Sequence, residues 1–473
     1  MKNKYKFIFG NPPFQDSKNR KKTQHKLWID FTLKYFNNHL EDEGAMVWLT
    51  PSSWGSPSSK ILKLFKENNV ELINLDISHY FPKIGSTFSF YKITKEGHVN
   101  KTDITTPDSE FKFEIDNSVK YIPNDFCRDS MSIHKKVIFG KEKKFSLGYD
   151  YVTCHNVIRH KKKLLQKKIK KCETDISVMP NSQRKETKKE KLKQYKEELK
   201  NCFITVSETK TKDHVYPILH TNTKTWYSSL KQTFATKQKV MWSRSGYTKP
   251  FFDNGQLGCT DMGYYILVNS EKEGRRLEKF LNSKLMQYIF KTAKWSGFGN
   301  ELVFSSIPQI DLSVDYSELD YYKLFNISKQ EIEFIERSFL PKKRKAVKRG
   351  SSETKSKKRV KELGEVYTPT ELVRMMLDTV PDDEWSKKDA TFVDPACGNG
   401  NFIVEIVKKK ILNGLSIEEA VGTTYGIDIM EDNISECKQR ILKFFKDNDW
   451  NITDKVVGLL DKNIVLADAM TLN

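Results

Sequence analysis

Apolar positions along the first hundred residues switch between two periods. KFIFG (6–10) is a continuous apolar run of the kind a buried strand needs, and LWIDFTLKYFNNHL (27–40) repeats at helical spacing. AMVWLTP (45–51) then predicts a strand, SSKILKLFKENN (58–69) a helix, and ELINLDIS (71–78) and TFSFYKIT (87–94) two more strands. Strands and helices in alternation predict half of an α/β domain over 1–105. From 106 to 340 that rhythm gives way to irregular, aromatic-rich and basic segments. It returns over 362–473: EVYTPTELVRMMLDTV reads as a helix with a polar lead-in, TFVDPACGNGNFIVEIVKKKIL as strand, turn and helix, and TTYGIDIM and NIVLADAM as strands.

Two segments break the pattern by charge. RHKKKLLQKKIKKCETDI and KETKKEKLKQYKEELK flank MPNSQ, where Pro180 and Asn181 interrupt the helical period, so 158–201 predicts a helical hairpin. It serves either as a basic arm lying along phosphates or as a solvated projection laced with i,i+4 Glu/Lys pairs. PKKRKAVKRGSSETKSKKRVK (341–361) has no apolar period and predicts a flexible basic linker.

Composition narrows the classes. A chain of 473 residues, 38% hydrophobic, supports two or three ordinary cores. A net charge of +20 implies an acidic partner, most simply a nucleic acid backbone. No run of ~18 apolar residues and no secretory h-region occur, which predicts a cytoplasmic chain without membrane partners. The seven cysteines form no CxxC pair, so free thiols are expected and no metal site.

The candidate chemistry lies at strand ends. TFVDPACGNGNF ends a strand at Asp394, passes Gly398 and Gly400, and opens a helix near Asn401, where glycines allow close approach of a ligand to free backbone amides. The next strand ends at Asp428, placed to accept two ribose hydroxyls, and a third ends near Asp468. A single such aspartate serves equally as a cap or turn former; three in succession point to a ligand.

This constellation resembles the cofactor site of class I S-adenosylmethionine-dependent methyltransferases, with Ala396 where their first glycine usually stands. The resemblance implies a doubly wound α/β sheet assembled from both chain ends. It also implies S-adenosyl-L-methionine as cofactor, held by Asp394, Ala396, Gly398, Gly400 and Phe402, by Asp428 and Ile429 at the ribose, and by Asp468 and Ala469 at the adenine. GEVYTP resembles the segment covering the methionine end, which adds Tyr367, Thr368 and Pro369.

Residues 11–14, NPPF, resemble the (N/D/S)PP(Y/F/W) signature of methylases acting on exocyclic amines, and they follow an apolar strand. An adenine N6 is a poor nucleophile because its lone pair is delocalised into the ring. If Asn11 Oδ1 and the Pro12 carbonyl accept both its hydrogens, the amine moves toward sp³ character and its lone pair turns to the methyl donor. Pro12 and Pro13 fix φ and stiffen the turn. Phe14 supplies a stacking face for a base rotated out of the duplex. With NPPF first and the YTP and DPACGNGNF segments last, the order resembles that of a circularly permuted DNA adenine-N6 methyltransferase of the restriction-modification type.

The middle region resembles the target-recognition domain of such enzymes, a mixed α+β domain, through LNSKLMQYI, SSIPQIDL and the capping-box helix at Ser328 and Glu331. Arg244, Tyr247, Lys249, Lys294, Trp295 and Asn300 are the candidate DNA contacts. The partner implied is double-stranded DNA, with a separate restriction endonuclease as a further expectation. The alternatives are a cytosine-N4 methylase, a protein glutamine methylase that shares the NPPY-like turn, and a non-catalytic DNA-binding relative.

Overall fold

Tyr5–Gly10 (YKFIFG) forms β1, buried along almost its whole length, because an apolar run without alternation can only be accommodated in the middle of a sheet covered on both faces. The computed structural model describes residues 4–14, 27–57, 59–81, 87–95, 101–140, 142–150, 153, 155, 159–179, 183–201, 206–221, 224–246, 249–295, 301–340 and 367–472. They fall into two compact units, Met1–Arg128 with Pro341–Asn473, and Asp129–Leu340. The expected linker at 341–361 and the break at Pro180 and Asn181 lie outside the described residues.

The first unit is built on a nine-stranded sheet. In chain order its strands are β1, β2 (Leu40–Pro51), β3 (Asn69–Asn74), β4 (Phe88–Thr94), β5 (Thr102–Thr105), β6 (Glu110–Phe113), β7 (Phe392–Asp394), β8 (Thr424–Asp428) and β9 (Ile464–Leu466). Across the sheet they run β9-β8-β7-β1-β2-β4-β3-β5-β6. The first five are parallel, and β4 is antiparallel to both its neighbours. The sheet extends past residue 105 through β6, so the irregular stretch read from the sequence begins later, beyond Phe113.

The two chain ends join at β1 and β7. Phe7 lies opposite Phe392 and Ile8 opposite Val393; the Phe7 amide donates to the Thr391 carbonyl at 2.9 Å. Phe7 stacks on Phe392 at 4.8 Å, and Trp385 stacks on the same ring at 4.8 Å. One apolar core takes Phe7, Phe9, Val47 and Phe88 from the first segment and Leu372, Met376, Trp385 and Phe402 from the last. A second core is drawn from 397–464 alone, including Ile403, Cys437 and Phe445. The helix Leu27–Lys34 continues into a π-helical turn, Tyr35–His39, and holds the C-terminal segment: Lys34 Nζ donates to the carbonyls of Met470 and Leu472 at 2.9 and 2.5 Å.

The second unit is mixed α+β. It holds two four-stranded sheets and, among its helices, Glu271–Asn282, Lys284–Thr292 and Lys329–Ser338, the last closed by a reciprocal Ser328–Glu331 capping box. Two long helices, Arg159–Val178 and Gln183–Asn201, pack on each other. No helix among the described residues is long and apolar enough to cross a membrane.

Candidate active site

Gly10 ends β1 where only a hydrogen fits: a Cβ there would lie 2.8 Å from the Trp48 ring and 2.9 Å from Asp394 Oδ1. The strand end thus abuts the carboxylate that ends its neighbour β7. Asn11 follows, half-buried, and its Nδ2 donates to Thr368 Oγ1 at 3.3 Å. Thr368 is buried, and its carbonyl accepts from Asn401 Nδ2 at 2.8 Å, at the first residue of the helix Asn401–Leu412. The asparagine corner, the Tyr-Thr-Pro segment and the glycine-rich loop therefore meet on one side of the β1–β7 junction. Pro12 is buried and Pro13 half-buried; Phe14 packs against Phe88 with ring centroids 5.3 Å apart.

The loop after β7 is fixed by its glycines and by its acids. Gly398 has φ +53° and Gly400 φ +86°, conformations open to glycine. A Cβ on Gly400 would also come within 2.3 Å of Cys437 Sγ, so the helices Asn401–Leu412 and Glu431–Lys446 could not approach as they do with any other residue. Ala396 is half-buried and donates its amide to Asp394 Oδ1 at 3.0 Å. Asp428 accepts from Gly398 N at 2.9 Å, Met430 N at 2.8 Å and Asn433 Nδ2 at 3.2 Å, and Tyr367 Oη donates to Asn433 Oδ1 at 3.1 Å. A chain of hydrogen bonds thus runs from Tyr367 to the glycine loop.

Asp394 is 1% exposed. Burial pushes its carboxyl up to about 8, and repulsion from Asp428 adds to this, against the pull of the Ala396 amide. The two carboxyl groups at adjacent strand ends repel one another when both are ionised, and a cationic ligand between them would relieve that repulsion and draw Asp394 into its charged form. That chemistry, with the cradle that Gly398 leaves beside Tyr367, where a Cβ would sit 3.1 Å from the ring, fits a sulfonium- and ammonium-bearing cofactor.

The remaining residues predicted for the cofactor fall nearby. Phe402 is buried in the core shared by both chain ends, Pro369 precedes the helix Thr370–Leu377, and Ile429 is 56% exposed just past β8. Asp468 lies two residues beyond β9, exposed, and accepts from Met470 N at 2.9 Å; Ala469 is buried and its carbonyl accepts from Tyr35 Oη at 3.2 Å. Sequence reading missed Trp48, Thr368's partner Asn401, and Arg440, which donates to Asn399 O and Asn401 Oδ1 at 2.8 and 2.6 Å. Asn401 and Arg440 are half-buried, and no local pattern in the sequence marks their meeting at the glycine loop.

Within the second unit, Arg244, Lys249 and Lys294 line one cavity of about 330 Å³, joined there by Lys291. Buried Trp242 and Phe304 form part of its wall, and its lining carries no carboxylate. Trp242 Nε1 is buried with no hydrogen-bond partner among the described residues. Lys294 Nζ donates to the Ser245 carbonyl at 3.0 Å. Trp295 is half-buried and outside the cavity lining; Tyr247 and Asn300 lie outside the described residues. Lys291 is the member that the sequence did not single out.

No curated protein matches the chain. Among solved structures it is similar to a chain of a type I restriction-modification system (TM-score 0.19, 14% identity, 24% of this chain and 27% of that one). It is also similar to the type IIL restriction-modification enzyme MmeI in complex with DNA (TM-score 0.32, 10% identity, 80% and 54%) and to the type IIG restriction endonuclease BpuSI (TM-score 0.21, 8% identity, 66% and 45%). The chain thus spans between about a quarter and about half of the length of these proteins. Residues 353–449, which include the Tyr-Thr-Pro segment, the glycine-rich loop and Asp428, match the family described as N-6 DNA Methylase.

Proposed function

We propose that the chain is a site-specific DNA methyltransferase that moves a methyl group from S-adenosyl-L-methionine to N6 of an adenine rotated out of duplex DNA. The observation that carries this reading is the meeting of Asn11 with Thr368 and of Gly10 with Asp394, which puts the amine-binding corner beside the acidic loop. The parallel run β9-β8-β7-β1-β2, closed by antiparallel β4, supports a doubly wound methyltransferase sheet whose cofactor strands come last in the chain, a circular permutation.

In this reading the cofactor supplies the electrophilic methyl group. Tyr367, Thr368 and Pro369 cover it; Asp394, Ala396, Gly398, Gly400 and Phe402 form its loop; Asp428 with Ile429 and Asp468 with Ala469 hold its nucleoside. Asn11 Oδ1 and the Pro12 carbonyl accept the two N6 hydrogens, Thr368 orients the Asn11 amide, and Pro13 keeps the turn rigid. Phe14, backed by Phe88, presents a ring to the base. The proton leaves after the methyl has transferred, so no general base is needed before attack. Arg244, Lys249 and Lys294, with Tyr247, Trp295 and Asn300, contact the DNA, and a separate endonuclease would complete a restriction-modification pair.

The test is to incubate the protein with mixed-sequence duplex DNA and labelled cofactor, then digest to nucleosides. N6-methyladenine is the expected product. Asn11→Ala should abolish it while cofactor binding measured by calorimetry survives. Label in N4-methylcytosine, in protein, or in neither nucleoside would refute the proposal.

A further inference from the structure

We infer that the outer face of the helix Arg159–Val178 grips the phosphate backbone of duplex DNA, the choice of duplex DNA resting on the function proposed above. This helix and its partner Gln183–Asn201 carry sixteen basic residues against six acidic ones, which is half of the chain's net charge of +20. Such a total alone describes many solvated projections. The distribution of the charges is more specific.

Leu165, Ile169 and Cys172 are buried and define the seam of the first helix. At about 100° per residue these three fall within about 60° of one another, and Lys167, Lys170 and Lys171 fall on the opposite side. All three lysines are exposed. The helix has two acidic residues, and both turn toward its partner: Asp175 pairs with Lys188, and Glu173 with Lys196 at 2.8 Å. Lys168, on the flank, lies over the Tyr195 ring at 5.2 Å. Cross-helix pairing therefore engages both acidic residues, and among the described side chains the outer face carries Lys167, Lys170 and Lys171 and no carboxylate.

The second helix is built differently. Its exposed side carries Glu186, Glu190 and Glu197 among its lysines, and Glu186 pairs with Lys189 at 2.7 Å. Among the described side chains, only the first helix offers a run of exposed lysines with no carboxylate on the same face, Asp175 acting on Lys171 from the flank. Among the described side chains of the pair, each large apolar residue is buried or half-buried, so there is no apolar face to enter a bilayer. Lys167 to Lys171 span about 6 Å of helix axis, at about 1.5 Å per residue. Each strand of duplex DNA presents a charge about every 3.4 Å of helix axis, so the row can face about two phosphates of one strand, and its long side chains can reach a third.

The test compares duplex binding by fluorescence anisotropy over a range of salt for the full chain and two triple variants. Lys167→Gln, Lys170→Gln and Lys171→Gln together should reduce the slope of log K against log salt by up to about 2.7, about 0.9 for each phosphate that is no longer neutralised. Lys189→Gln, Lys193→Gln and Lys200→Gln remove the same charge from the mixed helix and should change the slope by less than about 0.9. Thermal melting of both variants verifies that they are folded. An unchanged slope in the first variant, or an equal fall in both, overturns the inference. If the full chain methylates DNA and the first variant's slope does not fall, the grip fails alone. If the slope falls as expected and no DNA methylation occurs, the function fails and the grip stands.

Discussion

Replacing Gly10 by alanine tests the junction on which the candidate active site depends. The new methyl group would lie 2.8 Å from Trp48 Cζ3 and 2.9 Å from Asp394 Oδ1, whereas carbon atoms settle at about 3.5–4.0 Å. Neither neighbour can yield easily. Trp48 has no exposed surface, and its indole N–H donates to Thr32 Oγ1 at 2.9 Å, itself tied to Trp28 O at 2.7 Å. Asp394 is held by the Ala396 amide. The strand end must therefore shift by roughly 1 Å, and overpacking of this kind costs about 1–3 kcal/mol. For a unit of this size that lowers Tm by about 2–12 °C. The shift falls on the residue before Asn11, where a misplacement of about 1 Å can cost about 100-fold in turnover. Calorimetry and labelled methyl transfer well below Tm separate the two losses. Adding Trp48→Leu to Gly10→Ala should recover part of the stability lost to the methyl group, through a coupling of about 0.5–3 kcal/mol. Gly10→Ala protein that melts within about 1 °C of the parent and turns over normally would refute the reasoning.

Asp394→Asn changes the pH dependence of stability. The carboxyl is raised from 3.8 to about 8 in the folded chain, so between those values the folded state binds the extra proton. Stability from this group is present at low pH and lost as pH rises toward about 8. The variant should gain on the parent in Tm from pH 5 to pH 9, and a constant difference between them would contradict this. In the second unit, Lys239 and Asp253 pair at 2.6 Å, 0% and 4% exposed. Asp253→Ala leaves a buried ammonium and should cost about 3–5 kcal/mol in denaturant melts, while Lys239→Met with Asp253→Leu should recover most of it. If the double variant is as unstable as the single one, the charge is not the cause.

The strands that read most easily were those whose neighbours demanded burial on both faces. YKFIFG and FVD had to be central, and the aspartates at 394 and 428 were legible because each closes an apolar run. The capping box at Ser328 was legible because it is local, four residues deep. The extension of the sheet through β5 and β6 was not, since TDIT and EFKF are short and alternate in polarity, and pairing with β3 rather than any pattern of their own places them. Asn401 and Arg440 act by meeting across 39 residues, and no spacing rule announces that meeting. Lys291 joins Arg244, Lys249 and Lys294 because a strand and a helix converge, which composition alone does not express.

Because β1 pairs with β7 across 385 positions, its order of synthesis matters. At about 5–20 residues per second, a ribosome needs some 20–80 s to deliver the second strand after the first. For that interval β1 has β2 on one side and an open row of amides and carbonyls on the other, a template for any extended segment that meets it. Yield in cells should therefore depend on what shields that edge, and supplying the last segment in trans should protect the nascent chain from aggregation.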